Sequence, residues 1–448
     1  MNPKLALVPL ALSLSACDAR CSPDSGRSSS PTPMPSAPTA NASPTRTDGS
    51  SPAVPANSAQ PSRPASGALV ASTNAFCTDL WGAIRDTQGN LAISPASIVT
   101  ALAMTLGGAR GDTASELKRA LHIGGSVDDF IASTGELVRT WNAGSGPTVL
   151  RVANKLFGEK TYAFEQPYVD KTGQIFGAPL EPVDFLKAAE SARKLINDWV
   201  AKETQDRIKD LIPANGVDDQ TRLALVNAIY FKAEWEDPFQ LAATKPAPFS
   251  VTATDKKDVP TMNRTGYLRH GVQDGVKILE LPYKSGDSSM VLVLPDAIDG
   301  LGGVEKAMTP KAIDRWMRDL KFERVSVALP RFEIDPPSSI ELRTALGKLG
   351  VKTAFDRNKA DFRDIGNPPD PADRLVISKV FHKSFVKLDE KGTEAAGGTA
   401  VVMARAGSAP PKDPPKEFKA DHPFLFFLRD TRSGLILFMG RVADPTVK

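Results

Sequence analysis

The pattern of apolar and polar residues predicts both helices and strands over most of the chain. Residues 223–235 form a long apolar run rich in β-forming side chains, which is typical of a strand buried on both faces. Residues 188–208 repeat apolar side chains with helical spacing and predict a helix with one buried face: Ala192, Leu195, Ile196, Trp199 and Val200. Strands are also predicted at 288–294, 325–334 and 375–388, and a hairpin at 424–428 and 435–442.

Capping and terminating residues indicate where several helices begin and end. The segment TASE at residues 113–116 matches a capping box and predicts a short helix running through Leu121. Helices are also predicted over 69–87, over 310–320 with proline in the first turn, and over 338–349 before a glycine. Helices and hairpins mix without a strict strand–helix–strand order, so the predicted fold class is α+β.

The first sixteen residues have the charge and hydrophobicity of a signal peptide. Lys4 precedes an apolar run at 5–16 that is too short to span a bilayer as a helix. The run leads into Leu-Ser-Ala-Cys at 14–17, which resembles the bacterial lipobox, whose cysteine receives a diacylglyceryl group. We therefore expect 1–16 to be removed and Cys17 to anchor the chain in a bilayer of a bacterial cell envelope, facing the periplasm or the exterior. An ordinary secretory signal with an incidental cysteine is the alternative.

A segment rich in proline and serine follows the expected anchor. Residues 22–66 contain ten Pro, twelve Ser and four Thr, and they contain no aromatic residue. Such a segment buries too little apolar surface to offset the entropy lost on ordering. We therefore expect residues 17–67 to comprise the lipidated cysteine and a disordered spacer, and residues 68–448 to form the folded part.

Composition and charge exclude several classes of function. The 448 residues carry 55 Lys and Arg against 52 Asp and Glu, and a net charge of +3 argues against a nucleic-acid-binding protein. Three cysteines cannot form a disulfide framework, and Cys77 is expected to be a buried structural thiol. The histidines are far apart in sequence and lie in no metal-binding motif: His122, His270, His382 and His422. No P-loop, dinucleotide-binding or nucleophile-elbow motif is present, so we expect no enzymatic activity, metal or cofactor.

Residues 390–419 form an unusually long connection between two predicted strands. One alternating set of its side chains is uncharged and begins with small residues: Thr393, Ala395, Gly397, Thr399, Val401 and Met403. The other set has one charge, at Glu394, and proline first occurs at Pro410. A loop that later becomes a central strand needs these properties, whereas a loop that is only flexible does not. On the pattern alone, a surface loop rich in glycine and alanine is the alternative.

Residues 390–396, with the sequence EKGTEAA, resemble the hinge of the serpins, the serine protease inhibitor family. Further segments resemble serpin motifs in the same order: 93–98, 225–232, Trp235, 329–331, 420–424 and 437–442. The resemblance extends from residue 76 to the C-terminus. It implies a single domain of about nine helices and three β-sheets with an exposed reactive-centre loop, although the chain length alone suggests two or three domains.

The resemblance implies a suicide-substrate inhibitor and not an enzyme. A serine protease, or a cysteine protease, attacks the loop and forms an acyl-enzyme. The cut loop then inserts as a strand into the main sheet, and the attached protease is distorted before water can release it. The expected partners of this monomer are the target protease and, through Cys17, a lipid bilayer. A non-inhibitory serpin that acts as a binding or carrier module is the alternative.

The resemblance also implies roles for residues at three places in the fold. The hinge of the loop comprises Gly392, Thr393, Glu394, Ala395 and Ala396. The breach, the end of the sheet where insertion begins, comprises Glu390, Arg331 and Trp235. The shutter, a polar cluster under the centre of the sheet, comprises Ser94, Ser97, Asn227 and His382. His382 lies among apolar residues in the sequence, so we expect it to form hydrogen bonds across the opening sheet and to have no catalytic role.

The position of the scissile bond follows from its distance to Glu390. Typical inhibitory serpins cut seventeen residues along from the matching glutamate, which here implies Ala406–Gly407 and suits elastase-like or subtilisin-like proteases. A spacing one residue shorter implies Arg405–Ala406 and suits trypsin-like proteases. Two features depart from the family: the glycines at 397–398, and a PPKDPP insert at 410–415 that we interpret as an exposed spacer.

Overall fold

Nine α-helices lie in the ranges that the computed structural model describes, residues 66–143, 148–393 and 413–448. The helices are α1 (Gly67–Ile84), α2 (Pro95–Leu106), α3 (Gly111–Ala120), α4 (Val127–Ala143), α5 (Gln166–Phe176), α6 (Phe185–Glu203), α7 (Leu301–Ala307), α8 (Pro310–Arg318) and α9 (Arg343–Lys348). Short 3-10 turns lie at Leu241–Ala243, Thr353–Phe355 and Pro371–Asp373. The helices predicted at 69–87 and 310–320 are confirmed as α1 and α8, each ending a few residues earlier than expected.

Seventeen β-strands lie in the same ranges and form three hydrogen-bonded sheets. The strands are β1 (Leu91–Ile93), β2 (Thr148–Glu159), β3 (Leu180–Val183), β4 (Leu223–Glu234), β5 (Lys245–Ser250), β6 (Lys256–Gln273), β7 (Val276–Pro282), β8 (Ser288–Pro295), β9 (Lys321–Pro330), β10 (Phe332–Ile334), β11 (Ile340–Glu341), β12 (Phe381–His382), β13 (Val386–Asp389), β14 (Gly392–Thr393), β15 (Lys416–Lys419), β16 (Phe424–Asp430) and β17 (Ile436–Val442). The α+β class, with about nine helices and three sheets, is confirmed.

The six-stranded sheet has the strand order β10-β13-β14-β4-β2-β3. Strand β4 pairs with β2 over almost its whole length, from Leu223 opposite Gly158 to Ala233 opposite Thr148. The other edge of β4 has described partners only at Ala233 and Glu234, which pair with β14. We call this end of the sheet the hinge end. Beyond it, β4 and β13 have no described strand between them.

Strand β4 is buried on both faces because its side chains alternate between two hydrophobic cores. Val226 and Ala228 pack in a small core with Ile196 of α6. Ile229 and Phe231 point to the opposite face and pack in the main core. This explains the continuous apolar run in the sequence, and the strand predicted at 223–235 is confirmed.

Helix α2 supports the six-stranded sheet from the side of the main core. Eleven of its twelve residues are buried, as expected for a helix that is apolar on all sides. The side-chain oxygen of Ser94 caps the helix by accepting a hydrogen bond from the backbone N–H of Ser97. Pro95 occupies the first turn, where its missing N–H leaves no intrahelical hydrogen bond unmade.

The nine-stranded sheet has the order β1-β17-β16-β8-β7-β6-β9-β15, with β5 beside β6. Strands β16 and β17 form an antiparallel hairpin in which Phe424 lies opposite Val442. The hairpin predicted at 424–428 and 435–442 is confirmed, and residues 424–428 are buried core residues. The strand predicted at 288–294 is confirmed as β8.

The capping box predicted from Thr113 to Glu116 is wrong, because helix α3 begins at Gly111 without a side-chain cap. The hydroxyl of Thr113 accepts a hydrogen bond from the backbone N–H of Asp361 at 3.0 Å. The carboxylate of Glu116 accepts one from the backbone N–H of Thr353 at 2.7 Å. Both side chains therefore hold a distant part of the chain, and a local motif cannot distinguish that use from capping.

The helix predicted at 188–208 begins earlier, as α6, and ends at Glu203. Ala192, Ile196 and Val200 are buried, but Leu195 was wrongly assigned to the same face and is 42% exposed. The buried stripe is narrower than predicted because only one flank of α6 rests on the sheet.

Three other predicted elements are shorter or divided. Residues 338–349 do not form one helix, because 340–341 pair with β12 as β11 and α9 begins only after them. The strand predicted at 325–334 is divided at Arg331, where the chain passes from β9 in the nine-stranded sheet to β10 in the six-stranded sheet. The strand predicted at 375–388 contains β12 and β13, but 375–380 are irregular. Those six residues border a cavity, and no strand among the described residues pairs with them.

Candidate functional site

Part of the predicted site lies outside the described residues. These positions are Cys17, Glu394, Ala395, Ala396, Arg405, Ala406 and Gly407. The rest of the hinge, the breach and the shutter are described. They lie on β4 or directly after it, on the segment from β12 to β14, at the start of α2 and between β9 and β10.

The first two hinge residues already occupy the gap in the six-stranded sheet. Gly392 lies opposite Glu234, and Thr393 lies opposite Ala233, so β14 pairs with the edge of β4. On its other side Thr393 lies opposite Leu388 of β13. The loop thus enters the sheet between these two strands as the beginning of an additional antiparallel strand.

Gly392 is required by the close approach of β4. A Cβ atom at this position would lie 2.0 Å from the carbonyl oxygen of Ala233, and the backbone φ is +156°. No side chain fits there unless the hinge or β4 moves, since contacts below 3.0 Å are not tolerated between such atoms. Glycine therefore allows the hinge to lie against the strand edge.

Thr393 is held at the hinge end by a buried hydrogen bond. Its hydroxyl lies 2.5 Å from the hydroxyl of Tyr283, and both residues are buried. The Tyr283 ring stacks on Trp235 with a centroid distance of 4.6 Å and an interplanar angle of 8°. Burial raises the pKa of Tyr283 well above its usual value, despite the opposing hydrogen bond from Thr393, so the phenol is neutral.

The breach residues lie next to this contact. The guanidinium Nε of Arg331 donates to Glu390 Oε1 at 2.8 Å, and a second N–H of the same group donates to the same oxygen. Thr244 also donates to that oxygen, at 2.5 Å. Burial alone would raise the pKa of Glu390, but the hydrogen bonds from Arg331 and Thr244 outweigh it and hold the pKa below its usual value. Trp235 donates its indole N–H to the carbonyl of Asp389 at 3.0 Å.

The shutter residues form a connected hydrogen-bond cluster between α2 and the sheet. His382 Nε2 accepts from the backbone N–H of Ser94 at 3.0 Å, so the neutral ring carries its proton on Nδ1. The hydroxyl of Ser94 accepts from the N–H of Ser97 at 3.2 Å. Ser97 in turn donates to the side-chain oxygen of Asn227. His382 and Asn227 do not contact each other directly in the described ranges, because they lie on the two separated strands.

His382 is neutral at physiological pH. Burial lowers its pKa from 6.5 to about 4, since the enclosed site disfavours the imidazolium ion. The hydroxyl of Ser384 lies 2.9 Å from the same Nε2 atom and completes its hydrogen bonding. The ring therefore acts as a hydrogen-bond acceptor, and this chemistry agrees with a role other than catalysis.

A cavity of about 380 Å³ lies where the sheet is parted. One wall is formed by residues 223–227 of β4, and the opposite wall by residues 375–382. Helix α2 closes one face, and the connection between α6 and β4 covers the other with residues 211–212 and 216–218. Three shutter residues, Ser97, Asn227 and His382, line it. The cavity therefore lies between residues 223–227 and 375–382, about six residues along from the positions at which Ala233 and Leu388 pair with Thr393.

Sequence reasoning missed three residues of this site: Tyr283, Thr244 and Asn154. The side-chain oxygen of Asn154 accepts from Asn227 at 2.6 Å and extends the shutter cluster into β2. Asn154 could have been found, because it is an amide within an apolar alternating strand. Tyr283 and Thr244 have no such local signal, since each follows an element end and reaches the hinge only through the tertiary fold.

A cysteine lies in the main core away from this site. Cys77 in α1 is fully buried, its Sγ is 2.9 Å from Met439 Sδ, and burial raises its thiol pKa. The predicted buried structural thiol is confirmed. Among the described residues there is no group of three or more His, Cys, Asp or Glu side chains arranged to hold a metal ion.

In this α+β fold the six-stranded sheet is parted beyond the hinge of the loop, so a further strand can be added at the open edge of β4. Inhibitors that capture proteases by loop insertion have this architecture. The chain belongs to the serpin family: the family model, described as "Serpin (serine protease inhibitor)", matches residues 71–445. The chain is therefore a member of a family of serine protease inhibitors.

Named relatives agree with this assignment. The leukocyte elastase inhibitor of Sus scrofa is 41% identical over 387 residues, covering 84% of this chain and 99% of the relative. The leukocyte elastase inhibitor of Homo sapiens is 39% identical over 387 residues, with the same coverage. The crystal structure of a highly specific serpin from the insect Tenebrio molitor superposes with a TM-score of 0.73 at 32% identity, covering 84% of this chain and 98% of that one.

Proposed function

We propose that this chain inhibits a serine protease as a suicide substrate, and that the cut loop inserts between β4 and β13. The observation that carries the proposal is the position of Thr393. This residue is already paired with both strands, and a cavity lies farther along the same border, between residues 223–227 and 375–382. Insertion would supply backbone partners to two strand edges and would remove apolar side chains from water.

The register of Thr393 predicts which loop residues would follow it into the sheet. In an antiparallel pair, each step along one strand is matched by one step back along the other. Thr393 lies opposite Ala233, so Thr399, six residues on, would lie opposite Asn227. Residue 403 would lie opposite Leu223, which is the first residue of β4. The segment 393–403, in which Glu394 is the one charged residue, therefore matches the length of the open edge.

The pairing register between β14 and β13 independently predicts where Thr399 would lie after insertion. Thr393 lies opposite Leu388, so Thr399 would lie opposite His382. Directly opposed residues of antiparallel strands point to the same face, so the Thr399 hydroxyl would lie between His382 and Asn227. Glu394 would point to the other face between Lys232 and Lys387, where its charge is compensated. Both alternating sets of loop residues then meet side chains of suitable polarity.

The target is proposed to be an elastase-like protease that cuts Ala406–Gly407. The small residue before this bond fits a narrow specificity pocket, and the relatives named leukocyte elastase inhibitors agree with that choice. The test is incubation with elastase, subtilisin and trypsin, followed by denaturing electrophoresis and mass spectrometry of the released C-terminal peptide. We expect an SDS-stable complex with elastase or subtilisin and a new N-terminus at Gly407. An N-terminus at Ala406 would instead assign the cut to Arg405–Ala406 and a trypsin-like target.

Thermal melting of the cleaved chain separates inhibition from the alternative. If the loop inserts, the cleaved chain should melt at a much higher temperature than the intact chain, because the cavity is filled by a paired strand. Cleavage without a stable complex and without a rise in melting temperature would favour a binding or carrier module. Since the inhibitor is consumed in the reaction, we also propose that the chain is not an enzyme.

We further propose that residues 1–16 are a signal peptide, that 17–67 comprise the lipidated Cys17 and a spacer, and that 68–448 form the serpin domain of a bacterial lipoprotein. The lipobox-like sequence before Cys17 supports this localisation at the cell envelope. No helix among the described residues is long and apolar enough to cross a membrane. Fractionation of cells that express the wild-type chain or Cys17→Ala tests the anchor. The wild type should be in the membrane fraction and the variant in the soluble fraction; equal partitioning would contradict the proposal.

A further inference from the structure

The cavity beside β4 is lined by apolar and polar side chains and has a size that suits a small molecule. Its volume of about 380 Å³ falls within the roughly 300–1,000 Å³ typical of ligand sites. Buried apolar side chains line its depth: Ile98, Leu102, Leu342, Phe362, Ile365 and Leu375. The wall formed by residues 223–227 is four residue steps long, or roughly 13 Å. An extended apolar chain therefore fits this space better than a compact ring system.

Positively charged residues outnumber acidic residues in the lining of the cavity. Arg357 and Arg374 line the cavity and are exposed, and neither has an ion pair or a side-chain hydrogen bond with any residue that the structure describes. Two acidic residues, Asp218 and Asp373, also line it, as do Arg222 and Lys379, so four basic residues face two acidic ones. Asp373 is paired with Arg222 at 3.2 Å, and Asp218 accepts hydrogen bonds from the residues that follow it. An anionic group at the mouth would thus meet two available guanidinium groups.

We propose that this cavity binds a linear aliphatic carboxylate of medium chain length. The hydrocarbon chain lies between β4 and residues 375–382, and the carboxylate lies between Arg357 and Arg374. Residues 399–403 of the cut loop would need the same space, because their register brings them opposite 223–227. The bound ligand therefore delays strand insertion and diverts the protein towards simple cleavage. Only this competition rests on the proposed function; the binding itself does not.

Calorimetric titration of the intact chain with hexanoate, octanoate and decanoate tests the binding directly. We expect one saturable site and an affinity that rises about fourfold with each added methylene group until the cavity is filled. Decanol, which has the same chain without the charge, should bind at least about tenfold more weakly. Absence of saturable binding, or equal binding of decanol, would overturn the proposal.

Two variants identify the site. The double substitution Arg357→Gln with Arg374→Gln should remove the difference between decanoate and decanol, whereas Arg324→Gln on β9, which does not line the cavity, should preserve it. Ala101→Phe places a ring among the lining residues and should weaken both ligands, with a circular dichroism spectrum and a melting curve to verify that the variant folds. Unchanged binding in both variants would place the ligand elsewhere and contradict the proposal.

The loop-cleaved chain provides an independent control. If cleavage raises the melting temperature, which reports insertion, the cavity is filled and the cleaved chain should not bind decanoate. Equal binding by both forms would exclude this cavity as the site only when that rise in melting temperature is observed. Decanoate should also lower the fraction of elastase trapped by the intact chain; an unchanged fraction at saturating decanoate would refute the competition. Complex formation without decanoate reports the proposed inhibitory function separately, so failure of one inference is distinguishable from failure of the other.

Discussion

The hydroxyl groups of Thr393 and Tyr283 lie 2.5 Å apart in a buried contact that holds the start of the loop inside the six-stranded sheet. Tyr283 is itself fixed by its stacking on Trp235. The first residues of the additional strand are therefore in position before any protease binds. Insertion then extends an existing pairing and does not have to nucleate a new one, which favours rapid entry of the rest of the loop.

Tyr283→Phe should destabilise the intact and the loop-cleaved chains by the same amount, about 1 kcal/mol. The reason is that Thr393 keeps the same neighbours before and after insertion, so the lost hydrogen bond does not change the free energy of insertion. Urea unfolding of both forms measures the effect, with Tyr267→Phe as the control because Tyr267 is 57% exposed. A loss confined to the intact form would mean that Thr393 changes its position when the loop inserts.

Gly392→Val should convert most of the protein from an inhibitor into a substrate. A side chain at this position collides with the carbonyl of Ala233, so the hinge must move away from the edge of β4. We expect the lost pairing and the steric strain to cost about 1–3 kcal/mol of stability. Insertion becomes slower while acylation of the loop is unaffected. The ratio of trapped to released protease on a denaturing gel measures the change. Gly303→Ala in α7 is the control, since no atom lies within 4 Å of a Cβ added there; an equal effect of both variants would refute the steric argument.

The elements that were predictable from the sequence are those whose burial leaves a local pattern. Strand β4 lies between two hydrophobic cores, so both of its faces are apolar. Its continuous apolar run can therefore be recognised in the sequence without knowing which strands pair with it. The hairpin of β16 and β17 is likewise marked by two apolar runs around a polar turn. The loop that follows β14 was identified by its period-two pattern together with the family resemblance, because the pattern alone also fits a surface loop rich in glycine and alanine.

Other features depend on contacts between distant parts of the chain. His382 and Ser94 are 288 residues apart, and only the family resemblance brought them together before the structure did. Glu116 looks like a capping residue but binds the backbone at Thr353. Residues 375–380 have strand-like composition yet are irregular, and no strand in the described ranges pairs with them. Local sequence patterns do not contain information on contacts between residues that are far apart in the chain.

Thr399→Arg should abolish stable complex formation and the thermal stabilisation of the cleaved chain. The register predicts that residue 399 enters the buried face between Asn227 and His382, where an unpaired charge costs several kcal/mol. Thr399→Val keeps the shape but removes the hydroxyl, and it should lower the melting temperature of the cleaved chain only, because the proposed hydrogen bonds to Asn227 and His382 form on insertion. Stable complexes with Thr399→Arg would show that insertion stops before residue 399 or follows another register.

The stability of the intact chain should fall between pH 6.5 and about pH 4 because of His382. Burial lowers the pKa of His382 to about 4, so between these pH values the unfolded chain binds a proton that the folded chain does not. The contribution is fully present above pH 6.5 and is lost as the pH falls through the folded pKa, with a total of about 3 kcal/mol. Urea unfolding at several pH values measures this slope.

His382→Gln isolates that contribution from the other titrating groups. Glutamine retains an acceptor for the backbone N–H of Ser94 but cannot be protonated. The free energy of unfolding of the variant should therefore depend less steeply on pH between 6.5 and 4. This holds even if the variant is less stable than the wild type at pH 7. His122→Gln is the matched control, because His122 is partly exposed and pairs with Asp79 at the surface. If the slope of His382→Gln equals that of the wild type, the imidazole is protonated in the folded chain. The hydrogen bond from Ser94 to its Nε2 atom would then not exist in solution.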